Sequence, residues 1–240
     1  MKYQVIRLRS FLLSAALIAG LFVFCLLGNR MILRVSTTAQ VTSNKPLIMI
    51  DPGHGGEDGG TQSAKGELEK DYNLSIAQKL ESELQRRGYE TIMTRQDDAL
   101  IYDEDSRTMR QKKVSDIHNR FAMIEAHPDC IFLSIHQNYY SDTRCCGTQV
   151  FFSPNHPQSE ALAKSIQAAV IGALQPDNTR VAKQSGSEIY LLFHAQTPAV
   201  MVECGFLSNV EEAQRLLDED YQAALAAAIA DGLDNALGLQ

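Results

Sequence analysis

Four side chains of this sequence have the chemistry needed to bind a divalent metal and to move a proton beside it. Two are the imidazoles of His54 and His136, and two are the carboxylates of Glu69 and Glu203. Hydrolytic zinc sites use three such nitrogen and oxygen ligands and keep the fourth position for water, and a nearby carboxylate serves as proton shuttle. These residue types predict a zinc hydrolase site with one Zn²⁺ per chain.

The sequence around these residues indicates how they meet. Three of them lie at or just after the ends of apolar runs typical of buried strands: LIMIDPGHGG (47–56), IFLSIHQN (131–138) and AVMVECGF (199–206). Open α/β sheets place their sites at the carboxyl ends of the strands. Glu69 opens the helix after the first run, so all four side chains are expected at one edge.

Strand patterns alternate with helix patterns through residues 46–240, which predicts an α/β fold with a mixed, mostly parallel central sheet of about six strands, flanked by helices on both faces. Predicted strands cover 46–51, 89–95, 131–136, 147–153, 188–193 and 199–203. Predicted helices cover 69–87, 107–126, a segment from Pro157, a brief segment after Asn209 and 219–237. Asn209 and Glu212 have capping-box spacing.

Each candidate also has a plainer interpretation. His54 could be incidental to a glycine-rich turn, Glu69 could cap its helix, and Glu203 could form a structural ion pair. Glu203 lies in an apolar run, where a carboxylate needs a partner or a raised pKa, and both conditions suit a general base beside a metal.

Four further residues are predicted to support the site or to contact substrate, with a purely structural role left open for each. They are Asn73, Arg95, Asn138 and His194, the last because its loop leads into the Glu203 strand.

The composition argues against one class of binding partner. The net charge is −7 and no cluster of Lys and Arg suits a polyanion, which argues against nucleic-acid binding. Of five cysteines, Cys25 lies in the N-terminal apolar segment and the others are expected to be unpaired thiols.

The N-terminus predicts export. Residues 10–29 carry no charge and follow a basic segment at 1–9, which favours a transmembrane anchor over a cleaved signal peptide. Residues 30–45 form a polar stalk, and the catalytic domain spans 46–240. The expected location is extracytoplasmic, membrane-anchored or secreted; the family resemblance described next implies the cell wall or spore cortex.

The segments DPGHGGEDGG, GELEKDYNL, SIHQN and VECGFLSN together resemble the signature segments of the zinc N-acetylmuramoyl-L-alanine amidases, the Amidase_3 family. The resemblance covers residues 46–238. It implies that His54, Glu69 and His136 hold Zn²⁺, that Glu203 is catalytic, and that peptidoglycan is the substrate, cut between N-acetylmuramic acid and the L-alanine of the stem.

Within that family the chain is similar to the germination-specific spore-cortex amidases of the CwlD type. No inhibitory helix is expected, because the link between the fourth strand and its helix is only about SPNHPQ. Gln137 departs from many relatives, which have a small residue there. Two alternatives stay open, a zinc peptidase of the stem and a non-catalytic membrane-anchored peptidoglycan-binding module, as does an activating protein partner.

Overall fold

A six-stranded sheet runs through residues 45–239, the part of the chain that the computed structural model describes. Its strands are β1 (Ile48–Pro52), β2 (Thr91–Met93), β3 (Ile131–Asn138), β4 (Gln149–Phe152), β5 (Lys183–Gln184) and β6 (Ala199–Phe206). Their spatial order is β2-β1-β3-β6-β4-β5. β2, β1, β3 and β6 are parallel, whereas β4 runs antiparallel to β6. The predicted mixed, mostly parallel sheet is confirmed.

Helices cover both faces of the sheet. They are α1 (Glu69–Arg86), α2 (Met109–Glu125), α3 (Pro157–Leu174), α4 (Tyr190–His194), α5 (Val210–Leu216) and α6 (Glu219–Leu237). The larger core lies under α1, α3 and α6, and a smaller one lies under α2 and α4. α6 packs closely on α3 because residue 232 is glycine: a Cβ there would lie 2.5 Å from the Cα of Ile166.

The prediction of a strand at 188–193 is wrong. This segment holds the short helix α4, and the strand beside β4 is instead β5, at Lys183–Gln184. Leu191, Leu192 and Ala195 are all buried in the smaller core. That spacing suits one helical turn and not an alternating strand, so tertiary packing overrides the β-propensity of these residues.

Two connections bear on the earlier expectations. Asn209 caps α5 as predicted, accepting hydrogen bonds from the amides of Glu211 and Glu212. The reciprocal bond of a capping box is not made, because the Glu212 carboxylate accepts from the amides of Gly147 and Phe206 instead. Residues 153–156 alone connect β4 to α3, which leaves no room for an inserted helix at that point.

The predicted basic segment (1–9), apolar segment (10–29) and nearly all of the stalk lie outside the described residues. Within 45–239, no helix combines the length and hydropathy that crossing a bilayer requires. Cys130, Cys145, Cys146 and Cys204 are unpaired thiols, as expected. Cys204 is buried in the larger core.

Candidate metal and catalytic site

Three of the predicted residues converge at the carboxyl ends of β1 and β3. One ligand atom each from His54, Glu69 and His136 lie within 4.8 Å of one another. Glu69 joins the two rings: its Oε2 is 3.2 Å from His54 Nε2, and its Oε1 is 3.0 Å from His136 Nδ1. Residues separated by up to 82 positions thus meet around one point, as the parallel sheet predicts.

The loop after β1 presents His54 in a conformation that few residues adopt. His54 has φ 62°, in the left-handed region, and the following Gly55 has φ 140°. Gly53 makes room for the second histidine, since a Cβ at that position would lie 2.0 Å from His136 Nε2. Strained backbone of this kind persists where the surroundings hold it, and it concentrates at functional sites.

Asp58 fixes the orientation of the His54 ring. Its Oδ2 lies 2.8 Å from His54 Nδ1, which leaves Nε2 directed toward Glu69. Burial lowers the pKa of His54, but the hydrogen bonds to Asp58 and Glu69 outweigh it and raise the pKa to about 9. A carboxylate behind a metal-binding histidine is a common support. Sequence analysis missed Asp58, although it lies within the same DPGHGGEDGG segment.

A buried ion pair holds the His54 loop from behind. Arg120 of α2 lies 2.6 Å from Asp51, and the two side chains are 3% and 1% exposed. The same guanidinium donates to the carbonyls of Pro52 and His54 at 2.9 and 2.8 Å. Burial raises the pKa of Asp51, but the Arg120 charge and the hydrogen bonds from Thr94, Ser134 and Arg120 together outweigh it and lower the pKa. Sequence analysis missed this pair too, because an arginine on a largely polar helix is expected to face the solvent.

Arg95 and Asn73, both predicted near the site, contact its backbone and its carboxylate. Arg95 donates to the carbonyls of Pro52 and Gly53 at 2.9 and 3.1 Å. Asn73 donates to the Gly53 carbonyl at 3.1 Å and lies 3.5 Å from Glu69 Oε1. Both side chains therefore hold the turn that precedes His54.

Gln137 also supports Glu69. Its backbone amide donates to Glu69 Oε1 at 3.1 Å, and its buried side chain donates to Asn73 Oδ1 at 3.2 Å. With the amide of Thr61, which donates to Oε2, these donors favour the charged carboxylate. Burial alone would raise the pKa of Glu69, but the hydrogen bonds from His136 and His54 lower it far below its usual range.

Glu203 stands beside the cluster on the neighbouring strand. It is the register partner of His136 across β3 and β6, so the two side chains project from the same face. Its Oε2 is buried and accepts no hydrogen bond from any residue in 45–239. Burial therefore raises the pKa of Glu203 to about 7, against the opposing charges of His136 and His54. A carboxyl with that pKa can take up and release a proton near neutrality.

The remaining two predicted residues, Asn138 and His194, make no side-chain hydrogen bond with the cluster within residues 45–239. Asn138 ends β3 and bonds its side chain to the amide of Tyr139, which shapes the loop beyond the site. His194 is not brought to the cluster. It precedes the amino end of β6, where its ring contacts Phe121 and Tyr190, whereas the cluster lies toward the carboxyl end.

The donor set fits zinc. Two imidazoles and one carboxylate form a common ligand set of hydrolytic zinc sites, and Asp58 supplies the usual support behind His54. Glu69 offers a charged carboxylate, since its pKa is held low. Such an arrangement can hold a metal ion beside a carboxyl that exchanges protons near neutral pH.

Comparison with known proteins gives the class. Residues 48–235 match the family described as N-acetylmuramoyl-L-alanine amidase, Amidase_3. The chain therefore belongs to this family of enzymes that hydrolyse the amide between N-acetylmuramic acid and L-alanine in peptidoglycan.

Individual proteins of the family are similar to this chain over most of its length. The chain is 35% identical over 187 residues to the germination-specific N-acetylmuramoyl-L-alanine amidase of Bacillus subtilis, covering 78% of each protein. The structure of the CwlD amidase from Clostridioides difficile, in complex with the GerS lipoprotein, matches 82% of this chain and 100% of its own, with 36% identity and a TM-score of 0.78. AmiC2 of Nostoc punctiforme matches with 27% identity and a TM-score of 0.69, covering 82% of this chain and 99% of its own.

Proposed function

We propose that this amidase is zinc-dependent, that His54, Glu69 and His136 hold the ion, and that Glu203 transfers the protons. The observation that supports the proposal is the register of β3 and β6, in which Glu203, with a pKa of about 7, lies opposite His136 of the His54–Glu69–His136 cluster. When bound, zinc would polarise the scissile carbonyl and lower the pKa of water to about 7.

The chain's own residues account for the proton transfers. Glu203, in its charged form, accepts a proton from the attacking water as the new C–O bond forms. It then gives that proton to the nitrogen as the C–N bond breaks. The products are a free carboxyl on the lactyl group and a stem peptide with a free amine on L-alanine. The apolar strand around Glu203 favours its protonated form between these steps.

The test is mass spectrometry of the products released from purified peptidoglycan, with and without a chelator. We expect a released stem that begins with L-alanine, no release after chelation, and recovery when zinc is restored. A shortened stem still attached to glycan would instead identify a zinc peptidase. If the protein were only a binding module, it would release no stem peptide, and the Glu203→Ala variant would bind peptidoglycan as well as the unaltered protein.

We further propose that the chain acts in spore-cortex maturation and germination, outside the cytoplasm, held by its N-terminal segment. The similarity to a germination-specific amidase supports the cortex role, and the complex of a similar amidase with a lipoprotein supports a protein partner. Parallel digestions of cortex and vegetative peptidoglycan test the substrate: equal rates on both would contradict the cortex role. Fractionation of cells with residues 1–45 deleted tests the anchor.

A further inference from the structure

A cavity of about 590 Å³ has none of His54, Glu69, His136 and Glu203 in its lining. Its walls are the loop before β4, the loop that follows α3, and the start of α5. The volume lies within the range of small-ligand sites. Its lining includes three arginines, Arg144, Arg180 and Arg215, and also the acidic residues Asp177, Glu211 and Glu212.

The sheet places this cavity close to Glu203. Gln149 begins β4 and is the register partner of Glu203, so His136, Glu203 and Gln149 form one row of side chains on one face. The cavity-lining Gly147 precedes Gln149 by two residues, which corresponds to roughly 7 Å of extended chain. The cavity therefore lies near the Gln149 end of this row, on the side of Glu203 opposite His136.

Arg180 reaches from the cavity toward this row. Its Cζ lies 4.5 Å from the ring centroid of Phe206, its Nε donates to the Cys146 carbonyl at 2.8 Å, and its Nη1 is 3.5 Å from Gln149 Oε1. The ring and the carbonyl fix the plane of the guanidinium. A guanidinium held in this way loses little entropy when it binds a carboxylate through two parallel hydrogen bonds.

Arg180 is better placed than Arg144 to accept a ligand. Arg144 is paired with Asp142 at 2.6 Å, with its side chain 88% exposed. Within residues 45–239, Arg180 forms no ion pair, and the nearby Glu212 carboxylate is already used by the amides of Gly147 and Phe206. Arg180 acts on Glu212 through its charge without forming an ion pair, so its guanidinium can still pair with an incoming anion.

The wall behind Arg180 is rigid. Asn178 accepts a hydrogen bond from the Arg180 amide at 3.0 Å and donates to the Thr148 carbonyl at 3.0 Å. Thr148 in turn donates to the Cys204 carbonyl of β6. A chain of hydrogen bonds thus connects the Arg180 loop to the strand that carries Glu203.

We propose that Arg180 is a substrate-binding residue, which pairs with the carboxylate of the second residue of the peptide stem while L-alanine lies against Glu203. The inference rests on the proposed function and adds the direction of the stem, which runs from the ligand cluster across β6 toward β4 and into the cavity. It predicts selectivity for stems in which this carboxylate is free.

The test uses two peptidoglycan substrates that differ only in the second stem residue, which carries either a free α-carboxylate or the corresponding carboxamide. For the unaltered enzyme we expect kcat/KM to be about tenfold or more lower on the amidated strands. Arg180→Ala should lose a similar factor on the carboxylate strands, mainly through KM, and should change little on the amidated strands. Zinc content should be unchanged.

Arg144→Ala is the matched control, since it removes an equal charge from the same cavity and should leave both rates unchanged. Arg180→Lys keeps the charge without the planar fork and should retain part of the selectivity, which covers the case in which the alanine variant folds poorly. Equal rates of the unaltered enzyme on both substrates, or an equal loss on both in Arg180→Ala, would overturn the proposal. Failure to release any stem would instead contradict the proposed function.

Discussion

Glu69 and Glu203 are the same residue type on either side of His136, yet their surroundings give them opposite properties. Glu69 accepts hydrogen bonds from the amides of Thr61 and Gln137 and lies against two imidazoles, so its pKa is lowered. Glu203 projects from an apolar strand with an unbonded Oε2, so burial raises its pKa to about 7. This separation of two carboxyl pKa values suits the roles proposed above, Glu69 as a charged ligand and Glu203 as a proton carrier.

The contrast extends to the regions around them. The Glu69 side includes the His54 loop, which Arg95 and Arg120 hold through backbone carbonyls. The Glu203 side is a β-strand in which neighbouring residues contribute packing and no hydrogen bond to Oε2. One half of the site is thus fixed by polar contacts, and the other half keeps a carboxyl free to change its protonation.

Removing a ligand should give the largest effect. His136→Ala is expected to lose stoichiometric zinc and all measurable hydrolysis while it stays folded, because the apolar core of β3 is untouched. Metal analysis of the purified variant, with circular dichroism as the folding control, tests this. Retention of one zinc per chain would remove His136 from the ligand set.

Changing the proton carrier should leave the metal in place. Glu203→Gln is expected to bind zinc normally and to lose about 10²- to 10⁴-fold in turnover, the usual contribution of a general acid–base group. Turnover and zinc content are measured on the same preparation. Near-normal turnover would contradict the catalytic role of Glu203. Loss of zinc would indicate that Glu203 contributes to metal binding.

Weakening the support of the polar half should lower metal affinity without removing a ligand. Arg120→Ala leaves Asp51 buried without its partner and frees the carbonyls of Pro52 and His54. We expect zinc affinity to fall about 10- to 100-fold, as for other supports behind a metal ligand, with a loss of stability of about 3–5 kcal/mol. Competition with a chelating dye measures the affinity. Arg110→Ala, an exposed arginine on the same helix, is the control and should change neither quantity.

The pH dependence of stability should separate the two carboxyls in the metal-free protein. The folded pKa of Glu203 lies above its ordinary value of 4.5, so its contribution favours folding at low pH and is lost as pH rises from 4.5 to about 7. Glu203→Gln should therefore stabilise the protein increasingly over this window, by up to roughly 3 kcal/mol. Glu69→Gln should do the reverse at neutral pH, since a lowered pKa stabilises the fold above 4.5. Denaturant unfolding at pH 4.5 and 8 distinguishes them.

The elements that carry the site were predictable because their signals are local. The apolar runs of β1, β3 and β6 predict buried strands, and parallel pairing then brings His54, His136 and Glu203 to one edge. The strand at 188–193 failed because Leu191 and Leu192 are buried together by the packing of α4, which no local pattern shows.

The supports of the site were harder to predict, because they depend on pairing across the fold. Arg120 contacts Asp51 over 69 positions, and its helix looks polar in sequence. Arg180 and Gln149 become relevant only once the antiparallel register of β4 is known. His194 shows how little proximity in sequence says about position: it precedes the amino end of β6, whereas Glu203 lies toward the carboxyl end.

The reversed direction of β4 has a consequence for how enzymes of this architecture can diversify. Because β4 runs against β6, its first residue and not its last lies level with Glu203, and the loop at 139–148 enters from beyond the edge. Changes in the length or charge of that loop would reshape the region that meets the substrate while the ligands on the opposite side of Glu203 stay in place. Selectivity and metal chemistry can therefore vary independently within one scaffold.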